Sequence, residues 1–151
     1  MDLRNKYGAL SLGGQLYKFY MKGEDTDGAY AFFEVSVPPF DLGPPPHIHN
    51  NEDVAFYIVQ GRFTFSLDEN EFNAEPGDFV FLPRGRKHWL RNESDTIGRM
   101  LVFSSPAGFE KFYDATGIPV EDDTKLPSPP SHEELMRLVE EAPNFGIKMF
   151  L

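Results

Sequence analysis

Two histidines one residue apart, His47 and His49, are the side chains of this chain best suited to chemistry. They make up half of its four histidines. In an extended segment, residues i and i+2 point to the same side of a sheet, so both imidazoles would face one way. Pro44, Pro45 and Pro46 stand just before them. Proline favours an extended backbone and cannot donate a ladder hydrogen bond. Imidazole nitrogen suits iron, zinc, copper and nickel, so a converging pair supplies half of a transition-metal site. The plain alternative is a pair of surface histidines near a turn.

The chain has no cysteine. Disulfides, thiolate metal sites and cysteine nucleophiles are therefore excluded, and any metal must be held by histidine, carboxylate or water. A net charge of -10 argues against nucleic-acid binding, which needs basic patches to neutralise phosphate. No window approaches the roughly 20 apolar residues of a membrane span, and no apolar run follows the N-terminal residues, so a cytoplasmic protein with no membrane partner is expected. At 151 residues, one domain is expected. Fifteen Phe and six Tyr against one Trp suggest an aromatic-rich β interior.

The elements that must position the histidines read as short strands. Residues 1 to 12 look loosely structured. Gln15 to Met21 is a strand, and Ala29 to Val37 another, rich in aromatics. Val54 to Gln60 follows, with Val54, Phe56 and Ile58 in one inward row. Gly61 turns it into Arg62 to Leu67, and Asp68 to Glu71 form an acidic hairpin tip. Phe79 to Leu82, His88 to Asn92 and Ile97 to Ser104 complete the series. Strands with turn signals every eight to twelve residues mean an all-β sandwich or barrel. Helix signal comes late: Ala107 to Thr116, then a Pro-punctuated acidic connector from Ile118 to Pro130. Ser131 next caps a helix that runs to about Glu141, with His132 exposed at its start.

A second fragment bears on the histidine pair. From Gly77, five residues lead to Pro83, one to Gly85, two to His88 and three to Asn92. Gly77 lets the backbone turn into a strand, Pro83 and Gly85 return it, and His88 opens the next strand facing inward. This G-x5-P-x-G-x2-H-x3-N run is the second motif of the cupin superfamily, matched without substitution. The first motif, G-x5-H-x-H-x3,4-E-x6-G, is matched by His47, His49 and Gly61. Three residues, instead of five, separate Gly43 from His47. Val54 occupies the place of the motif's glutamate, with six residues between it and Gly61. Glu52 and Asp53 do not keep the count to Gly61, and Glu52 would serve only through a rearranged turn. The chain thus resembles a small single-domain bacterial cupin. Its C-terminal section is similar to the tail of quercetin 2,3-dioxygenase-like members.

That resemblance implies a cupin double-stranded β-helix, a jelly-roll barrel, over residues 1–105 with its core at 29–104. Residues 106–151 would form a helical tail packed on the barrel. It also implies a divalent transition metal (Fe, Ni, Mn or Zn) held by His47, His49 and His88, in a pocket walled by Val54, Phe56 and Phe63. The expected function is dioxygenase-type oxidation of a small aromatic or carbonyl compound. Val54 removes the carboxylate that the flavonol reaction needs as its base. The alternative is a metal-free cupin that binds or senses a small ligand. A sugar isomerase or epimerase would need an acid-base pair that spacing does not locate. Arg84, Arg86 and Lys87 form a basic cluster, either solvated or receiving an acidic ligand. A homodimer is expected, paired along the exposed edge of the Gln15 to Met21 strand.

Overall fold

The computed structural model describes residues 6–151. Of the segment read as loosely structured, residues 1–5 lie outside the described residues. Its remainder is not loose. Strand β1 (Ala9–Leu12) is joined to β2 (Gln15–Met21) by Gly13 and Gly14. Both glycines have positive φ, 58° and 82°. A two-residue turn of that kind matches the twist of a hairpin, and Gly-Gly supplies it without steric cost. The turn signal was present, but the four-residue run before it is too short to announce a strand.

The chain continues as β3 (Ala31–Val37), β4 (His47–His49), β5 (Asp53–Gln60), β6 (Phe63–Leu67), β7 (Asn70–Ala74), β8 (Phe79–Leu82), β9 (His88–Arg91) and β10 (Gly98–Ser105). Then come α1 (Glu110–Thr116), β11 (Ile118–Pro119), α2 (His132–Glu141) and β12 (Ile147–Met149). Seven strands form one sheet in the order β11-β1-β2-β3-β10-β5-β8, and five form the other, β12-β4-β9-β6-β7. Two short strands and a clear β7 were not expected. The acidic tip turns on Asp68 and Glu69, while Asn70 and Glu71 already belong to β7.

The two sheets enclose an aromatic and aliphatic core that includes Phe19, Phe33, Phe63 and Phe65. β5 shows why the sequence folds this way. Val54, Phe56 and Ile58 are buried at 2%, 6% and 0% exposure, while Tyr57 and Val59 between them stay 46% and 39% exposed. The period of two puts one row in the core and the other outside. β2 lies between β1 and β3, so it is not an edge strand, and the edge on which dimer pairing was expected does not exist. β1, not legible as a strand, covers it.

Helix α2 opens as expected: the Ser131 hydroxyl accepts a hydrogen bond from the Glu134 amide at 3.1 Å. The C-terminal section is more than helical. β11 pairs with β1, and β12 pairs with β4 along its whole length.

The motif asparagine has a structural task. Asn92 is fully buried. Its amide faces the carbonyls of Val37, Pro38 and Thr96 at 3.3, 3.0 and 2.8 Å, and its oxygen accepts from the Ser94 amide and hydroxyl. It fastens the end of β9 to the end of β3. Replacing it leaves several buried polar groups unpaired, each costly. Asn92→Ala should lower stability by about 2–4 kcal/mol in urea denaturation, with little effect on residues at the histidine end of the barrel.

Candidate metal centre

β4 is only three residues long, and three sets of backbone bonds hold it. On one side β12 pairs with it, placing Ile147 opposite His49 and Met149 opposite His47. The Asn50 amide donates to the Gly146 carbonyl and the Phe150 amide to the Pro46 carbonyl, both at 2.8 Å. On the other side His47 pairs with His88 of β9, and the Gly85 amide donates to the His49 carbonyl at 2.8 Å. Just upstream, Gly43 has φ of 70°, and a Cβ there would lie 2.4 Å from the Leu90 carbonyl oxygen. No side chain fits where the approach to β4 passes β9 this closely.

These pairings turn His47, His49 and His88 inward. All three are buried, at 8%, 6% and 3% exposure. Ring centroids lie 5.0 Å apart for His47 and His49, 4.4 Å for His47 and His88, and 5.4 Å for His49 and His88. One nitrogen from each ring falls within 4.8 Å of the others. Donors each about 2 Å from one ion are separated by roughly 3–4 Å, so the triad is close to ligand spacing. The His47 Nδ1 is 2.9 Å from the Pro45 carbonyl, which fixes its proton there and leaves Nε2 bare. The Nδ1 atoms of His49 and His88 are buried with no partner among the described residues.

Burial keeps these rings neutral. It pushes His47 below the ordinary imidazole range, with the Pro45 carbonyl acting against it. It pushes His49 well below that range, helped by His47 and His88. His88 is pushed down to about 3, again chiefly by burial and then by His47. Neutral imidazole is the form that binds metal. Three buried, uncharged nitrogen donors around one point therefore fit a divalent transition ion.

A cavity of about 60 Å³ opens from the triad into the barrel. Val54 and Phe56 line it, together with Val35, Met100, Val102 and Phe109. Phe63 does not line it: its ring packs against Gly98, where a Cβ would stand 2.3 Å from the Phe63 Cζ, and against Phe65. All three residues lie in the apolar interior, but Phe63 lies elsewhere in the barrel. A second cavity of about 40 Å³ adjoins the first at His47 and His49 and is roofed by Phe112, Tyr113, Leu135 and Leu138 of α1 and α2. The helices of the tail thus cover the outer side of the site.

The basic cluster is already satisfied. Arg84 is bonded to Asp53, and Arg86 to Asp68 at 2.6 Å. Lys87 lies over the Phe150 ring.

One functional candidate was discounted by counting along the chain. Glu52 is 3% exposed, and its Oε2 lies 3.9 Å from the His49 Nδ1. That oxygen has no hydrogen-bond partner among the described residues. Burial, and then the buried Glu110, push the Glu52 carboxyl up to about 7, against the pull of Arg84 and of the Asn51 and Glu52 amides. Glu52 does not join the cluster of nitrogens that converge. It stands beside the Nδ1 of His49, outside that cluster. Asp53, next along, faces outward to Arg84.

Residues 33–104 match the cupin domain family. The quercetin 2,3-dioxygenase of Bacillus subtilis (strain 168) is 30% identical over 112 residues, which cover 74% of this chain and 33% of the relative. That of Aspergillus japonicus is 30% identical over 132 residues, 83% of this chain and 37% of the relative. The chain belongs to the cupin superfamily. It spans about a third of the length of these two curated relatives. Among solved structures, KdgF from Halomonas sp. superposes with a TM-score of 0.61 at 19% identity, covering 72% of this chain and 94% of that one. The two antiparallel sheets are the cupin jelly roll.

The buried carboxyl gives a pH signature. Glu52 has a folded pKa of about 7 against an ordinary 4.5. The folded state keeps this proton longer than the unfolded one, so stability from Glu52 is present below pH 4.5 and is lost as pH rises towards 7. The buried histidines act oppositely: their stability is present above pH 6.5 and is lost as pH falls. In the difference between the native protein and Glu52→Gln the histidine contributions cancel. Chelator-treated Glu52→Gln should therefore gain on the native protein by up to about 3 kcal/mol between pH 4.5 and pH 8 in urea denaturation.

Proposed function

We propose that His47, His49 and His88 hold one divalent transition metal, and that the chain performs dioxygenase-type oxidation of a small aromatic or carbonyl-bearing molecule. The observation that carries this reading is the convergence of three buried neutral imidazoles on the edge of an apolar cavity. The similarity to two quercetin 2,3-dioxygenases supports the reaction class. Bound there, the metal would supply a Lewis acid with redox capacity next to a water-poor pocket. The chain's own part is to hold three nitrogens around one point, exclude water with Val54, Phe56 and Phe109, and admit the ligand past the helices of the tail. The cavity near the triad, about 60 Å³, is far smaller than the roughly 300–1,000 Å³ of pockets for drug-sized ligands. A small substrate suits it as it stands, and a larger one requires α2 to move away.

Val54 gives this centre a distinctive charge. Three neutral ligands leave the full charge of a dication uncompensated in an apolar wall, which favours an anionic substrate or hydroxide as the remaining ligand. No base stands at position 54 to take a substrate proton.

Metal analysis of protein purified without chelator tests the reading. The native chain should carry close to one equivalent of iron, nickel, manganese or zinc, and His47→Ala with His49→Ala should carry less than about a tenth. Val54→Glu, which restores a carboxylate facing the centre, should tighten binding by tenfold or more. Metal-free native protein would favour a ligand-binding cupin without redox chemistry.

For a homodimer, the outer face of the seven-stranded sheet is the better surface. Tyr57, Phe79 and Phe81 stand exposed on the neighbouring strands β5 and β8, at 46%, 68% and 53% exposure. Aromatic side chains in a contiguous exposed patch favour association. Light scattering after size exclusion should give the mass of two chains, falling to one chain in Phe79→Glu with Phe81→Glu. A native monomer would remove the dimer.

A further inference from the structure

The His47 ring is oriented by a backbone carbonyl, whereas the His49 ring has no such anchor. Its Nδ1 is buried and, among the described residues, unpaired. The polar atom placed to serve it is Oε2 of Glu52, also buried and unpaired, 3.9 Å away across the Asn50-Asn51 turn. That distance is beyond a hydrogen bond by under 1 Å. Room for the carboxylate comes from Gly108, where a Cβ would lie 3.2 Å from Oε1. Two buried polar atoms, each lacking a partner, seldom face one another without a use.

We infer that Glu52 is a positioning residue of the metal centre: it accepts the Nδ1–H of His49 and so presents the Nε2 of His49 to the ion. This deepens the metal reading proposed above and rests on it. The Pro45 carbonyl does the same for His47. Glu52 adds what a carbonyl lacks, a group able to carry negative charge beside the ring. A carboxylate hydrogen-bonded to a metal-bound imidazole fixes its tautomer and makes it a stronger donor. With Val54, an apolar side chain, in the cavity wall beside the triad, the compensating charge reaches the centre through His49, and not by direct ligation.

Two readouts test the inference. The first uses cobalt(II) titration of chelator-stripped protein, followed by its visible absorption. Glu52→Ala should weaken cobalt binding about 10- to 100-fold, and Glu52→Gln less, because a side-chain amide can still accept but carries no charge. In a His49→Ala background both substitutions at position 52 should have no further effect. Equal weakening with and without His49 would overturn the inference, since it would mean that Glu52 ligates the metal directly or acts only through folding. The second readout is nitrogen-15 NMR of the metal-free protein. His49 should carry its proton on Nδ1 in the native chain and lose that preference in Glu52→Ala. A His49 protonated on Nε2 in the native chain, or unchanged in Glu52→Ala, overturns the inference even if cobalt binds. A native protein that takes up no cobalt refutes the metal centre itself and leaves the NMR result to decide the role of Glu52.

Discussion

The structure depends on holding one three-residue strand at the right register. β4 must turn His47 and His49 inward and Ile48 away from them, and a shift of one residue would reverse all three. Three residues cannot enforce that alone. β12, from the far end of the chain, pairs with every residue of β4, while β9 meets it at the His47–His88 pair and the Gly85 amide holds the His49 carbonyl. The prolines on the N-terminal side keep the approach extended. Gly43 lets that approach pass the Leu90 carbonyl at a distance no side chain would permit. The tail is thus part of the site: it holds the histidine strand from one side and roofs the adjoining cavity with α1 and α2.

Electrostatics follow from the same placement. Drawing three imidazoles into an apolar interior keeps them uncharged, because burial penalises the protonated ring. The cost of burying their nitrogens is recovered only if something takes up the lone pairs. A metal ion does so for all three at once. The carboxyl groups near the centre, Glu52 and Glu110, are buried close enough to raise the Glu52 pKa, yet neither stands among the converging nitrogens. In the proposed centre, negative charge would therefore come from beside His49, while Val54 and the cavity face the triad.

Much of this was written in local patterns. The His-x-His pair is legible because a strand has a period of two. The second motif is legible because Gly77, Pro83, Gly85 and His88 specify turns and strand starts within a dozen residues. The inward row of Val54, Phe56 and Ile58 follows from alternation. What escaped the sequence lies in contacts between distant segments or in faces that look alike. Nothing in Ile147–Met149 announces that it pairs with β4. Phe79 and Phe81 alternate with Val80 and Leu82, and a strand apolar on both faces does not declare which one is outside. Phe63 and Phe56 are both buried, but Phe63 packs beside Gly98 away from the cavity, a difference in position that burial pattern does not encode. Glu52 was discounted because counting to Gly61 tests only the ligand role, while its burial behind His49 arises from the turn.

The most direct measurement of the central claim is anomalous X-ray scattering, at the absorption edge of whichever metal copurifies, from crystals of the native protein. The account predicts one peak bonded to a nitrogen of each of His47, His49 and His88, with the Val54 side chain facing it and the Glu52 carboxylate against the His49 Nδ1. A peak held by Glu52 or Asp53 in place of one of those rings would contradict it, as would the three imidazoles closing on one another around no ion in fully metal-loaded protein.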